Sequence, residues 1–180
     1  LTLFNDKGPR RHIKWFHFYR ASPKTFNQYT KFAIVREPMA RLFSAYQYCL
    51  TGGNQQAEDI FLQKLIKKHS DDFETFVLNV LSADFLMVYE IFQPQYLYIF
   101  DRLQNSKIDH LLRYENLADE WIEFSKTYGY STTLPHINKT IDPVDVVSVQ
   151  KSKKINLSAR AKEKIQKLYQ QDFNLLHYPY

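Results

Sequence analysis

The fold of this chain is decided by residues 31–46, Lys-Phe-Ala-Ile-Val-Arg-Glu-Pro-Met-Ala-Arg-Leu-Phe-Ser-Ala-Tyr. Residues 31–35 form a short apolar run of the kind that is buried in a parallel sheet, and this run ends at Arg36. Pro38 then stands where proline is favoured, in the first turn of a helix, and apolar residues recur at helical spacing as far as Gly52. The pattern therefore predicts a buried strand, a turn and a helix.

The junction between a strand end and a helix start is a favourable place for a phosphate group. Free backbone N–H groups and the positive end of the helix dipole meet there. Arg36 adds a guanidinium and Ser44 a hydroxyl, and Arg41, Ser44 and Tyr48 share one face of the predicted helix. The spacing also fits a second interpretation, in which Arg36 and Arg41 form surface ion pairs and Ser44 faces the core.

Composition limits the class of protein. A chain of 180 residues, 44% hydrophobic and 16% aromatic, suits one domain with one core. The 24 Lys and Arg exceed the 19 Asp and Glu, and this formal charge of +5 favours an anionic partner such as a nucleotide, an acidic glycan or nucleic acid. Cys49 is the single cysteine, which excludes an internal disulfide, and we expect it in the core. No apolar run approaches the ~18 residues of a membrane span, so no membrane contact is expected.

The remaining elements follow from hydrophobic periodicity and turn residues. Helices are predicted over residues 58–69, 73–81, 116–128 and 157–173, and strands over residues 96–100 and 108–114. The polar residues 132–154, which include two prolines, predict a long functional loop. The mixture of basic and aromatic side chains in residues 10–20 predicts a strand edge or a ligand rim.

Residues 32–46 also resemble the Val-Arg-Asp-Pro…Arg…Ser-x-Tyr signature of sulfotransferases that act on carbohydrates. Glu37 stands where that family usually has Asp or Asn. Further segments resemble the family in the same order along the chain, namely residues 94–96, 112–117, 134–140 and 169–180. The relatives concerned are bacterial glycan sulfotransferases and the animal heparan sulfate 2-O-sulfotransferases.

The resemblance implies transfer of a sulfuryl group from 3′-phosphoadenosine 5′-phosphosulfate (PAPS) to a hydroxyl of a glycan or polysaccharide, with no metal ion. It implies an α/β fold of three layers, with a parallel central sheet flanked by helices, like that of P-loop NTPases. Residues 1–180 would form one sulfotransferase domain that lacks the family's N-terminal strand and phosphate loop, since no such loop precedes Arg36. The expected compartment is the cytoplasm of a bacterium, or the Golgi lumen for a eukaryotic protein.

The resemblance also implies roles for the residues that bind the donor. Arg36 and Ser44 would hold the 3′-phosphate of PAPS. Arg41 and Lys139 are expected to contribute to the same donor site.

A histidine is the expected general base, because its unperturbed pKa lies near neutrality. His12 lies upstream of the Arg36 strand at about the family's distance and resembles the base of the 2-O-sulfotransferases, with His17 as the alternative. His136, Asn138 and Lys14 are expected to contact the acceptor, although residues 134–140 also fit a purely structural loop.

Other functions remain open from the sequence. A non-catalytic domain could bind a nucleotide or an acidic glycan with the same basic face. Charge and aromatic content alone favour nucleic acid, which we do not expect as a partner, and a phosphate-loop kinase would leave Arg36 and Ser44 without a role. Glu115 is expected to pair with a cation or cap a helix, and Asp172 and Tyr178 are expected in the core or at a cap.

Overall fold

A small parallel sheet positions the rest of the chain. The computed structural model describes residues 13–131, 133 and 156–180. Within them, β1 (Phe32–Val35) pairs with β2 (His110–Arg113) in the register Phe32↔His110 to Val35↔Arg113. Because the pairing is parallel, the carboxyl ends of both strands lie at the same edge of the sheet. The strand predicted at residues 31–35 and the one predicted over residues 108–114 are thereby confirmed.

Helices supply most of the regular structure in the described residues. Seven precede β2: α1 (Trp15–Ala21), α2 (Pro23–Gln28), α3 (Pro38–Leu50), α4 (Ala57–His69), α5 (Phe73–Thr75), α6 (Ala83–Val88) and α7 (Tyr96–Ile99). Three follow it: α8 (Leu117–Tyr128), α9 (Ala159–Leu168) and α10 (Gln170–Leu175). A π-helical turn, Phe76–Val80, continues α5, and 3-10 turns form at Glu90–Phe92 and Tyr114–Asn116.

Helix α3 begins and ends where the sequence predicts. Pro38 occupies its first turn, and the chain reverses after Leu50 at Gly52 and Gly53, both of which have positive φ. The face of α3 that is turned to the core carries Leu42, Ala45, Tyr46 and Cys49. The apolar periodicity of residues 39–50 thus determines which side of α3 is buried.

The core is largely aromatic and joins α3 to the end of the chain. Phe76 and Phe92 are fully buried, with ring centroids 5.4 Å apart, and the ring of Tyr46 lies 5.0 Å from that of Phe76. Tyr169, between α9 and α10, donates its hydroxyl to the carbonyl of Phe92 at 2.6 Å. The closing helices therefore pack in the same core that supports α3.

Most of residues 96–100, predicted as a strand, form helix α7 instead (Tyr96–Ile99), and only Phe100 makes an isolated antiparallel bridge, with Ser106. A short apolar run has no periodicity that separates strand from helix. The first N–H group of this helix finds its acceptor far along the sequence, because the backbone N–H of Tyr96 donates to the Asp172 carboxylate at 2.7 Å. A tertiary contact therefore decides this element.

The two ends of the described chain also differ from expectation. The described part of residues 10–20 forms helix α1 rather than a strand edge, and the Trp15 indole fixes it by donating to the carbonyl of Phe100 at 3.0 Å. The single closing helix predicted over residues 157–173 is divided at Tyr169 into α9 and α10, with Ser158 as the N-cap of α9. The aromatic side chain at the break is almost completely buried.

The described part of the chain is therefore mainly helical, built around a two-stranded parallel sheet. The described residues thus show a mixed helical fold with a small parallel sheet, rather than the complete three-layer fold that was predicted. None of the helices in the described ranges combines the length and apolar character that crossing a bilayer requires.

The single cysteine provides a test of the core. Cys49 is 2% exposed, and burial, with a smaller contribution from the charge of Asp59, raises the pKa of its thiol to about 12. Because the thiolate is the reactive form, we expect iodoacetamide at pH 8 to modify Cys49 only when the protein unfolds. Mass spectrometry should find the native protein unlabelled and the protein in denaturing urea fully labelled. Rapid labelling of the native protein would contradict the buried position.

Candidate functional site

Two segments meet at the carboxyl edge of the sheet, where ligands bind in open α/β sheets. Arg36 follows β1 directly, and Tyr114 follows β2. The guanidinium of Arg36 lies 4.6 Å from the centroid of the Tyr114 ring. Among the described residues Arg36 takes part in no ion pair, so the interpretation as an ion-paired surface residue does not hold for this part of the chain. A cation without a carboxylate partner can bind an anion.

The backbone of Arg36 is held by the side chain of Gln95, from the segment between the Glu90–Phe92 turn and α7. The Arg36 N–H donates to Gln95 Oε1 at 2.9 Å, and Gln95 Nε2 donates to the Arg36 carbonyl at 2.8 Å. Gln95 is 8% exposed. The strand-to-helix turn is therefore fixed by an amide that uses both its donor and its acceptor.

Gln95 is itself held by a buried carboxylate. Asp172, 0% exposed on α10, accepts the backbone N–H of Gln95 at 2.8 Å and that of Tyr96 at 2.7 Å. Burial raises the pKa of Asp172, while these two N–H donors and the positive charge of Arg41 act in the opposite direction. The expectation of a core position for Asp172 is confirmed, and its partners lie next to the site.

A second carboxylate holds the next residue of the turn. Glu115 accepts the backbone N–H of Glu37 at 2.7 Å and the hydroxyl of Tyr178 at 3.0 Å. Glu115 thus acts through hydrogen bonds, and it forms no ion pair with a described residue. Tyr178 is buried, as expected, and its ring lies 4.5 Å from the guanidinium of Arg113, at the end of β2.

One expectation about the helix start is wrong. The first backbone N–H groups of α3 are not free, because the Glu37 carboxylate accepts those of Met39 at 2.9 Å and Ala40 at 2.6 Å. The next N–H, of Arg41, donates to the Glu37 carbonyl, and residues 36 and 37 have the side-chain acceptors described above. An anion bound at this turn would therefore be held by side chains rather than by the N–H groups of the helix terminus.

Ser44 and Arg41 have different surroundings on α3. Ser44 is half-buried, and its hydroxyl has no hydrogen-bond partner among the described residues. Arg41 is directed inward, where Nη2 donates to the carbonyl of Ile91 at 3.2 Å. Its Nη1 is buried without an acceptor in the described part of the chain. Arg41 thus contacts the Glu90–Phe92 turn that precedes Gln95.

Most of the other predicted site residues lie outside the described residues, namely His12, His136, Asn138 and Lys139. Lys14 is described, and its ammonium lies 5.4 Å from the ring centroid of Tyr98. His17 is exposed on α1, with its ring 4.1 Å from that of Phe16. Within the described residues, neither Lys14 nor His17 forms a hydrogen bond or ion pair with the turn at Arg36.

Sequence reasoning missed Gln95, and it placed Asp172 in the core or at a cap without identifying its partners. Gln95 and Asp172 are buried polar side chains whose hydrogen bonds end at Arg36 and Tyr96. Both lie in segments that resemble the family, residues 94–96 and 169–180. This resemblance was the signal in the sequence that could have identified them. The sequence indicates an ion-pairing or capping role for Glu115, but its partners, the Glu37 N–H and the Tyr178 hydroxyl, depend on tertiary structure.

The comparisons with known proteins give one match. A family model described as the sulfotransferase family matches residues 4–179, nearly the whole chain. Neither the curated proteins nor the solved structures contain a match to this chain.

Glu37 gives a testable consequence of this geometry. Glu37→Ala removes the acceptor of two backbone N–H groups at the start of α3, which should lower the free energy of unfolding by about 1 kcal/mol. Urea unfolding of the variant and the wild type measures this change. Glu58→Ala is the matched control, since Glu58 lies in the first turn of α4 but is exposed and caps no N–H group. Equal losses in the two variants would contradict the capping role of Glu37.

Proposed function

Because the chain belongs to the sulfotransferase family, we propose that it transfers a sulfuryl group from PAPS to a hydroxyl of a carbohydrate. Arg36 and Ser44 bind the 3′-phosphate of the donor in this proposal, and a histidine removes the proton from the acceptor. Sulfuryl transfer is the general chemistry of the family. The donor, the acceptor class and the residue roles are the proposed part.

The observation that carries the proposal is the meeting of separate family-like segments at Arg36. Residues 94–96 supply Gln95, residues 112–117 supply Tyr114 and Glu115, and both hold the turn that follows β1. As a result the backbone of Arg36 is held, and its guanidinium lies over the Tyr114 ring without a carboxylate partner in the described residues. A planar guanidinium with several donors matches the oxygens of a phosphate.

We propose that a further parallel strand lies beside β1 and completes a three-layer domain. The carbonyl of Lys31 accepts the N–H of His110, so by strand alternation the backbone groups of Phe32 and Ile34 face away from β2. A mostly apolar cavity of 610 Å³ borders all four residues of β1, and an isolated pair of strands is only marginally stable. This groove is suited to a strand from chain outside the described residues, which would carry the phosphate loop of the family.

The proposed reaction is an in-line transfer. The histidine takes the proton of the acceptor hydroxyl, and that oxygen forms a bond to sulfur while the bond from sulfur to the donor's phosphate oxygen breaks. Adenosine 3′,5′-bisphosphate leaves with the negative charge, which positive groups of the protein stabilise. We propose His12 as the base and His17 as the alternative.

The remaining assignments complete the proposal. Lys139 and Arg41 contribute to donor binding, and His136, Asn138 and Lys14 contact the acceptor. Arg41 acts from the inner side, since it contacts the carbonyl of Ile91.

Arg36→Ala in the full-length protein tests the donor site. Loss of a charge-assisted contact should weaken binding of adenosine 3′,5′-bisphosphate by about 10- to 100-fold, because such contacts contribute about 1.5–3 kcal/mol. Binding of AMP, which has no 3′-phosphate, should change much less. Isothermal titration calorimetry measures both affinities, and Arg102→Ala serves as control because Arg102 is exposed in the turn before β2. Equal losses for the two nucleotides would refute the assignment of Arg36.

His12→Ala tests the base. Turnover of PAPS with a glycan acceptor should fall by about 10²- to 10⁴-fold, while the affinity for adenosine 3′,5′-bisphosphate stays near that of the wild type. Transfer of radiolabelled sulfate measures turnover, and His17→Ala is measured alongside because His17 is the alternative base. Retained turnover in His12→Ala would reject His12, and a loss confined to His17→Ala would assign the role to His17. A protein that binds the nucleotide but transfers no sulfate to any glycan would favour a non-catalytic binding domain.

A further inference from the structure

The turn at Arg36 and Glu37 is held from the end of the chain through two separate hydrogen-bonded routes. We infer that Gln95 and Glu115 are positioning residues for Arg36, and that the segment from Tyr169 to Tyr178 fixes both of them. This inference rests on the proposed function insofar as the group that is positioned binds the 3′-phosphate. The geometry itself does not depend on that function.

The first route runs from Asp172 through Gln95 to Arg36. The Asp172 carboxylate accepts the backbone N–H of Gln95 at 2.8 Å, and Gln95 Nε2 lies 3.5 Å from the same carboxylate. The Gln95 amide then pairs with both backbone groups of Arg36. The backbone N–H and C=O groups of Phe32 and Ile34 face away from β2. Strand alternation therefore directs the N–H and C=O of Arg36 to the same side, away from β2. Gln95 thus pairs with Arg36 as a neighbouring strand would.

The second route runs from Tyr178 through Glu115 to Glu37. Glu115 uses one carboxylate oxygen for the Glu37 N–H and the other for the Tyr178 hydroxyl. Tyr178 is fixed in turn by Arg113, whose guanidinium lies over its ring and donates to the carbonyl of Leu176 at 2.9 Å. The two routes share no residue, yet they end at consecutive residues of one turn.

The character of these groups indicates that they fix a conformation. Burying a carboxylate is costly unless its oxygens accept hydrogen bonds, and burial raises the pKa of Asp172. An apolar residue would fill the same space without that cost. The carboxylate oxygens of Asp172 instead orient Gln95. Gln95 in turn fixes the backbone from which the Arg36 side chain extends. A site that binds an anion through one guanidinium depends on such preorganisation.

The chain offers a matched pair of variants for the test. Gln95→Met keeps the length of the side chain and removes both hydrogen bonds to Arg36. Gln93→Met is the control, since Gln93 is also buried and also makes two side-chain hydrogen bonds, with the Met87 carbonyl and the Tyr98 hydroxyl. Neither hydrogen bond of Gln93 reaches the turn. A second pair is Tyr178→Phe and Tyr169→Phe, in which only the first hydroxyl contacts Glu115.

We expect Gln95→Met to weaken binding of adenosine 3′,5′-bisphosphate roughly tenfold, as for small misplacements of a binding group, and to leave AMP binding nearly unchanged. Gln93→Met should retain the ratio of the two affinities even if its melting temperature falls as much as that of Gln95→Met. Tyr178→Phe should lower that ratio and Tyr169→Phe should not. Equal ratios within each pair, measured by calorimetry at matched folded fractions, would overturn the inference.

Amide hydrogen exchange separates this inference from the proposed function. In Gln95→Met the Arg36 amide should exchange at least about tenfold faster than in Gln93→Met, because it has lost its acceptor. Unchanged protection of that amide would overturn the positioning role whatever the protein binds. If Arg36→Ala shows no selectivity between the two nucleotides, the 3′-phosphate assignment fails, and the exchange result still decides the positioning role.

Discussion

Parallel pairing of β1 with β2 is the constraint on which the site depends. The register Val35↔Arg113 brings together the ends of two strands that are far apart in sequence. Arg36 and Tyr114 are consequently neighbours, and Glu115 can reach the backbone of Glu37. An antiparallel pair would place these two chain ends at opposite edges of the sheet. The contacts between the segments that follow β1 and β2 therefore depend on the direction of this one pairing.

The aromatic core and the polar contacts of the site are two parts of one packing arrangement. Phe76 and Phe92 bury large apolar surfaces between α3 and the closing helices, and the Tyr169 hydroxyl donates to the carbonyl of Phe92. This packing supplies most of the stability, because the hydrophobic contribution scales with buried apolar area. It also brings α10 close enough for Asp172 to accept N–H groups from Gln95 and Tyr96. Apolar burial brings the segments together, and the polar contacts set their orientation.

The strand and helix at residues 31–50 could be predicted because each has a local physical cause. An apolar run marks β1, Pro38 is compatible with the first turn of a helix, and glycines in the left-handed region follow α3. Helix α7 could not be predicted, since its first N–H group, that of Tyr96, is accepted by a carboxylate 76 positions along the chain. Likewise, the sequence could identify Arg36 as a candidate phosphate ligand, whereas it could not reveal that the N–H groups at the start of α3 are occupied. The reach of the Glu37 side chain to Met39 and Ala40 depends on its rotamer.

The sequence by itself determined the class of this protein, because the order of its segments is that of a sulfotransferase and a family model matches residues 4–179. It also determined β1, α3 and Arg36 as the candidate phosphate ligand, since apolar periodicity and proline act within a few residues. Only the tertiary structure decided what surrounds Arg36. The orientation of Gln95, the burial of Asp172 and the pairing of Glu115 with Tyr178 depend on contacts between distant segments. Such contacts form only when β1, β2 and the closing helix pack together, and no local pattern encodes them.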